Sequence, residues 1–406
     1  MIIGAGQAGA WTARTLRNSG YTAPVLLLGQ EWHAPYERPP LSKGVLGGTQ
    51  SAPPVLLTSE QAESQCISIR LGTEVVSIDR AARHVACADG RQISYDKLVI
   101  ATGGKPRRLP LPNANPPGVF ELRTIDDAGA IGRRLAAGSR LLVIGGGWIG
   151  LEVAATARQK GVAVTLVEAG ERLCARSVPP VLGDFLLARH IGQGVLIRMK
   201  TTVQSIEPGD AGRVLVNIDG ENGQFDAVVV GIGIVPNTRL ASDCGLKVTD
   251  GIVVDASGRT SDPDVYAVGD VANQHCSWAD GRVRFESWAH ERPESSDLRR
   301  YGDCRHRNSV RRPSLVWSDQ YDFSLQVLGV PAIEGRQIVR GSLDDYNFSV
   351  FQLVDRRLRA VMSVNSPRDI KMARRWMRDG VCPPVEALAD TTQRFDRLDG
   401  GVIRRS

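Results

Sequence analysis

Through the first two-thirds of the chain, apolar residues fall in short unbroken runs, most of them stopped by glycine. Met1 to Ile3 runs into Gly4-x-Gly6-x-x-Gly9, a helix-like stretch follows to about Asn18, and a second apolar run, Val25 to Leu28, leads to Glu31. The same order recurs: Leu141 to Ile144, then Gly145-x-Gly147-x-x-Gly150, a helical stretch, the run Val162 to Val167, and Glu168. Runs of this length read as buried strands of parallel sheets, and the helical stretches as their crossovers. Lys97 to Ile100, closed by Thr102-Gly103, and Val265 to Val268, closed by Gly269-Asp270, read as further strands, with a helix expected to open at Asp270. Val228 to Asn237 is expected to be a buried strand ending in a glycine turn, with Gly233, and a proline stop at Pro236. Beyond residue 317 the pattern changes to apolar–polar alternation ("FSVFQLVD", "LRAVMSVN") and then to a helix over Arg368 to Met377, which predicts a small α+β domain.

Each glycine triplet makes a particular demand. The first glycine permits the tight turn, the second lets backbone approach a pyrophosphate, and the third lets the helix pack on the sheet, whose N-terminus faces the phosphates. Glu31, 27 residues after Gly4, is placed for ribose hydroxyls, as is Glu168 in the second unit. A carboxylate at Glu168 favours NADH and repels the extra phosphate of NADPH, although Arg172 nearby leaves some tolerance. Two such units hold two dinucleotides. With Asp270 able to bond ribityl hydroxyls, FAD is the economical reading for the first unit and NADH for the second. The bland readings are a solvated strand end for Glu168 and a plain helix cap for Asp270.

"YERPPLSK", residues 36–43, interrupts this order. Two adjacent prolines and the restriction on the residue before them predict a stiff, non-helical segment presenting Arg38 and Lys43. Glu152 is expected in the first turn of its helix, where the dipole alone would favour a carboxylate.

With "PYERPPLSK", "ATGG", "GGGWIGLEVAATA", "GIGIVPN", "VYAVGDVA" and "WSDQYDFSLQVLG", the chain resembles the FAD-dependent ferredoxin reductases of bacterial aromatic-ring dioxygenase and cytochrome P450 systems. The likeness covers about 1–290 and 317–380. It implies an α/β fold with two Rossmann-like dinucleotide-binding domains, glutathione-reductase-like in kind, and a C-terminal α+β domain. The expected division is a split FAD domain, 1–108 and 237–312, an inserted NADH domain, 109–236, and a C-terminal domain, 313–406. The resemblance also places Arg38 by the FAD adenine and pyrophosphate and Lys43 beneath the flavin, where an ammonium would stabilise the negative charge of the reduced ring. It places Glu152 near that lysine and the nicotinamide, and Trp317 against the opposite face of the flavin. The expected cofactor contacts are then Gly4, Gly6, Gly9, Glu31, Arg38, Lys43, Thr102, Gly103, Asp270 and Trp317 for FAD, and Gly145, Gly147, Gly150, Glu168 and Gly233 around NADH; no metal site is expected. Lys43, Glu152 and Trp317 are the candidate catalytic residues.

The implied reaction is hydride transfer from NADH to FAD, then single-electron transfers to a 2Fe–2S ferredoxin, Rieske-type or putidaredoxin-like, that feeds a terminal oxygenase. The loop Leu41 to Gly44 holds no cysteine, which disfavours thiol relays. An apoptosis-inducing-factor-like binding role and an NADH oxidase are the alternatives. The seven cysteines are scattered without a CxxC pair, and no apolar run nears the ~18 residues of a membrane span, so a cytoplasmic protein is expected.

Net charge is +6 with a pI near 9.0, which alone would suggest a nucleic-acid partner. Half of that excess sits in residues 291–316, with seven arginines, four acids and no period. A basic surface patch is one reading. The other is a pair of compensating frameshifts near His290 and before Trp317: read one nucleotide later, suitable codons give an acidic string that restores the resemblance, takes the net charge to about zero and removes the nucleic-acid hint. Only three residues precede Gly4, fewer than the five or six of a usual strand, so the chain is expected to begin upstream.

Overall fold

The computed structural model describes residues 1–112, 114–276, 281–286, 313–332 and 334–395. The charged stretch proposed as frameshifted lies outside the described residues over 287–312. The chain forms two compact units: 1–37, 54–105 and 235–316 in one, and 38–53, 106–234 and 317–406 in the other.

The first unit is built on a five-stranded parallel sheet in the order Val265–Ala267, Leu98–Ile100, Ile2–Ile3, Val25–Leu28, Ile67–Arg70. Successive residues of each strand point to opposite faces, and both faces are covered, which is why the runs are apolar throughout. Ile2, Leu27 and Ile67 pack with Ala10 and Ala13 of the first helix, Gln7–Asn18. Ile3, Leu28, Ile100 and Ala267 pack on the other side with the antiparallel strands Val75–Asp79 and His84–Cys87. Strand order reverses between Ile2–Ile3 and Leu98–Ile100. In open α/β sheets the crevice for a ligand lies at the carboxyl ends beside such a reversal.

The second unit repeats the arrangement in the parallel order Leu196–Met199, Ala163–Glu168, Arg140–Ile144, Ala227–Val230, Val119–Glu121. One face carries the antiparallel strands Val203–Pro208, Val214–Ile218 and Glu221–Phe225, whose apolar side chains join Leu142, Ile144 and Val230. The same unit contains a five-stranded antiparallel sheet ordered Leu315–Gln320, Phe323–Gly329, Arg357–Val364, Asn347–Val354, Arg336–Ser342. The helix Pro367–Asp379 packs on it through Ile370, Ala373, Trp376 and Met377, the i, i+3, i+6, i+7 spacing of one helical face. Phe185, on the helix Pro180–Gly192, inserts edge-on among Phe323, Tyr346 and Phe348 at centroid distances of 5.2–5.7 Å.

Three local expectations are corrected. Arg38 to Pro40 is not free of helix: Arg38 has helical angles (φ −80°, ψ −29°), and Pro39–Ser42 makes a single 3₁₀ turn closed by Leu41 N–H to the Arg38 carbonyl at 2.9 Å. Proline at the first positions of such a turn loses no needed donor and has a suitable φ. Asp270 opens no α-helix; Gly269–Val271 is one 3₁₀ turn, after which Ala272–Cys276 enters a sheet because Ala272 and Asn273 pair with Ile252 and Val253. The run from Val228 is two strands, Ala227–Val230 and Ile234–Pro236, separated at Gly233, whose φ is +105°.

Candidate functional site

In the first unit, three chain segments leave the carboxyl end of the parallel sheet together. Gly4 N–H bonds the Leu28 carbonyl at 2.8 Å, Ala101 N–H the Ile3 carbonyl at 2.7 Å, and Val268 N–H the Ile100 carbonyl at 3.1 Å. The three glycines of the first triplet face different surroundings. Gly4 has φ +109°, and a Cβ there would lie 2.3 Å from the Ala101 carbonyl oxygen. A Cβ at Gly9 would lie 1.9 Å from the Gly4 carbonyl oxygen, so backbone touches backbone where the helix starts. A Cβ at Gly6 would meet nothing within 4 Å. The first and third glycines are thus required by the fold, while the second borders open space at a helix N-terminus, which suits a pyrophosphate.

Around this cradle, Glu31 accepts a 2.5 Å hydrogen bond from the Tyr36 hydroxyl at Oε2. The Thr102 hydroxyl donates to the Asn237 carbonyl at 2.9 Å, and the Asn237 amide returns a bond of 2.9 Å to the Thr102 carbonyl. Thr102 therefore ties two strand exits together, next to Gly103 with φ +60°. Asp270 is buried at the end of Val265–Ala267.

The second triplet repeats the geometry: Gly145 has φ +107°, and a Cβ at Gly150 would lie 2.1 Å from the Gly145 carbonyl oxygen. At Gly147 the nearest atom to a Cβ is 3.9 Å away. Glu168 ends its strand with both carboxylate oxygens in use, Oε2 accepting from Gly146 N–H and Oε1 from Gly170 N–H, each at 2.6 Å. It is not a loose strand end. Each oxygen keeps a further lone pair for a ribose hydroxyl. Arg172 donates to the carbonyls of Val178 at 2.8 Å and Ala175 at 3.4 Å, in its own loop.

The third assembly, within the second unit, centres on Glu152. It is the fifth residue of the helix Trp148–Gln159, so it lies past the first turn, and it is 3% exposed. Burial beside a cation, not the helix dipole, accounts for it. Lys43 Nζ lies 2.6 Å from Glu152 Oε2, which also accepts from the Ser42 hydroxyl, and Oε1 accepts from the Ser318 hydroxyl at 2.6 Å. Thr156, one turn further along the helix, donates to the Ser42 carbonyl at 2.8 Å, so the helix holds the 3₁₀ turn through two successive rungs. Arg38 donates to the Arg123 carbonyl. Trp317 precedes Ser318 on its strand and so projects to the opposite face, half-buried.

Sequence alone points to Lys43 and Glu152 but not to their partners. Ser42, Ser318, Gln320 and His190 are all buried. A signal existed in "WSDQY": two polar residues at i and i+2 of a strand face one side, and here that side is the buried one.

The chain matches the pyridine nucleotide-disulphide oxidoreductase family over residues 1–294 and the reductase C-terminal family over 315–398. It is 41% identical to rhodocoxin reductase of Rhodococcus erythropolis, covering 96% of this chain and 92% of that one. It is 40% identical to the ferredoxin–NAD(+) reductase component of the p-cumate 2,3-dioxygenase system of Pseudomonas putida, covering 97% and 96%. Among solved structures, the covalent putidaredoxin reductase–putidaredoxin complex matches with a TM-score of 0.93 and 37% identity, over 98% of this chain and 97% of that one.

Proposed function

Since this chain belongs to the pyridine nucleotide-disulphide oxidoreductase family and carries a reductase C-terminal domain, we propose that it is the NADH-dependent flavoprotein reductase of an oxygenase system, delivering electrons to a 2Fe–2S ferredoxin. The observation that carries this reading is the pair of glycine cradles, each crowded at its first and third glycines and open at its second. Both fit a dinucleotide. FAD, when bound, accepts a hydride from NADH and releases its electrons one at a time.

The residues of this chain bind, orient and set charge. Gly4, Gly6, Gly9 and Glu31 would hold the FAD pyrophosphate and ribose, with Thr102, Gly103 and Asp270 beside them in the same unit; Arg38 is a further proposed FAD contact. Gly145, Gly147, Gly150, Glu168 and Gly233 hold NADH. Glu168, fixed by two backbone N–H groups, meets the ribose without having to reorganise. Lys43 and Trp317 would border the flavin, and the ammonium of Lys43, anchored by Glu152, would supply positive charge to stabilise the reduced ring. We assign the chain three functional domains, the two dinucleotide-binding domains and a C-terminal one. None of its described helices is long and apolar enough to cross a membrane, and the cytoplasm is the proposed location.

The relatives do not favour an apoptosis-inducing-factor-like role or direct reduction of oxygen. Purified protein is expected to be yellow, to bleach with NADH without oxygen, and to reduce a ferredoxin from a panel of dioxygenase and P450 partners. Colourless protein that cannot be reconstituted with FAD would refute the reading.

A further inference from the structure

We propose that His190, Gln320 and Ser318 form a one-way hydrogen-bond relay that positions the Glu152 carboxylate, and through it the Lys43 ammonium; its consequence for the flavin rests on the function proposed above. The direction of the relay follows from donor and acceptor chemistry alone. An ionised carboxylate only accepts, so the Ser318 hydroxyl, 2.6 Å from Glu152 Oε1, must donate to it. Its oxygen must then accept from the group on its other side, the Gln320 side-chain N–H at 2.9 Å. That choice turns Gln320 Oε1 toward His190 Nε2, 2.8 Å away, so Nε2 must carry the imidazole proton. His190 Nδ1 is left to accept from the Tyr321 hydroxyl at 3.0 Å. Every donor points toward Glu152, and bonds aligned this way polarise one another.

The surroundings hold the relay in this state. His190, Gln320 and Ser318 are buried, and Tyr321 meets the imidazole edge-on at 5.1 Å. Tyr321 has φ +51°, a left-handed conformation that is costly for a tyrosine but turns the chain between Leu315–Gln320 and Phe323–Gly329 so that its hydroxyl reaches the histidine. Burial and the neighbouring Arg189 guanidinium keep His190 neutral, lowering its pKa to about 4 against the raising effect of Gln320. Other charges near the imidazole belong to Arg158, close to Tyr321, and to Asp322, which pairs with Arg189 at 2.5 Å. A protonated His190 would lose its acceptor at Nδ1, and the Tyr321 hydroxyl would have to turn and accept from it instead.

The holoenzyme labelled with nitrogen-15 histidine tests the relay directly. Of the six histidine signals, the one absent in His190→Gln is expected to show a neutral ring protonated at Nε2 and to stay neutral to about pH 5. A ring protonated at Nδ1, or one titrating near its ordinary value, would overturn the proposal. Stopped-flow bleaching of the flavin by NADH gives the second readout. Ser318→Ala is expected to slow it about tenfold, as loss of a hydrogen bond to a charged group would, and Gln320→Leu to slow it less, since it acts only through the Ser318 hydroxyl. In a Glu152→Gln background, adding Ser318→Ala is expected to change it less than about twofold, because the carboxylate through which the relay acts is gone. Unchanged bleaching in Ser318→Ala, or the same fold-loss with and without Glu152, would refute the relay. Should wild-type protein not bleach at all, the proposed function fails, while the histidine signal still decides the relay.

Discussion

Two buried or anchored side chains, Glu168 and His190, illustrate how single residues acquire roles that their type alone does not give. Glu168 spends both oxygens on backbone N–H groups of the loops it separates, so it shapes the proposed NADH site before any ligand arrives. Glu168→Ala is expected to raise the KM for NADH, lower discrimination against NADPH, and cost about 1–3 kcal/mol of stability, measured by steady-state kinetics and urea denaturation. His190 makes stability depend on pH. Its folded pKa, about 4, lies below the ordinary 6.5, so the unfolded chain binds the proton more tightly and stability falls as pH drops from about 6.5 toward 4. Between about pH 7.5 and 5 this group should remove about 2 kcal/mol. The urea midpoint of wild type should therefore fall more over that interval than that of His190→Gln, and equal falls would exclude the effect.

At the scale of the element, the strand–loop–helix junctions separate two demands that one motif merges. Gly9 is needed because its helix starts against the Gly4 carbonyl, whereas at Gly6 there is room for a methyl group in the protein itself. Gly9→Ala is expected to damage folding, seen as lost circular dichroism and insoluble expression. Gly6→Ala should fold with unchanged circular dichroism yet purify with little flavin, since its methyl group occupies the space the pyrophosphate needs. If Gly6→Ala retained a full complement of FAD, the cradle would be misassigned. The 3₁₀ turn Pro39–Ser42 carries a related lesson: two prolines forbid little at a helix start, and the turn is set by the bond closing it and by the Thr156 rung.

Across the whole molecule, the chain supplies two dinucleotide-binding sheets and an antiparallel sheet, with no sulfur in the loop that presents Lys43. Among the described cysteines only Cys66 is exposed, and burial raises the thiol pKa of Cys174, Cys276 being likewise buried. Electron flow without a thiol relay should then survive alkylation. Iodoacetamide treatment is expected to leave NADH-to-ferredoxin turnover within about twofold of the untreated protein, because a buried thiol reacts slowly; a loss that tracks modification of one cysteine would contradict this.

The glycine spacing and apolar runs of the sequence by themselves determined the two Rossmann-like units, since a tight glycine turn and a doubly covered parallel strand each leave a local pattern. The alternation after residue 317 likewise announced a small α+β domain. What tertiary structure decided was which polar residues meet. Ser42, Glu152, Ser318, Gln320 and His190 come from four separate stretches of chain, and hydrogen bonds between residues more than a hundred positions apart leave no local period to read. The burial that makes such a cluster costly to misalign exists only once the helices and sheets have closed over it.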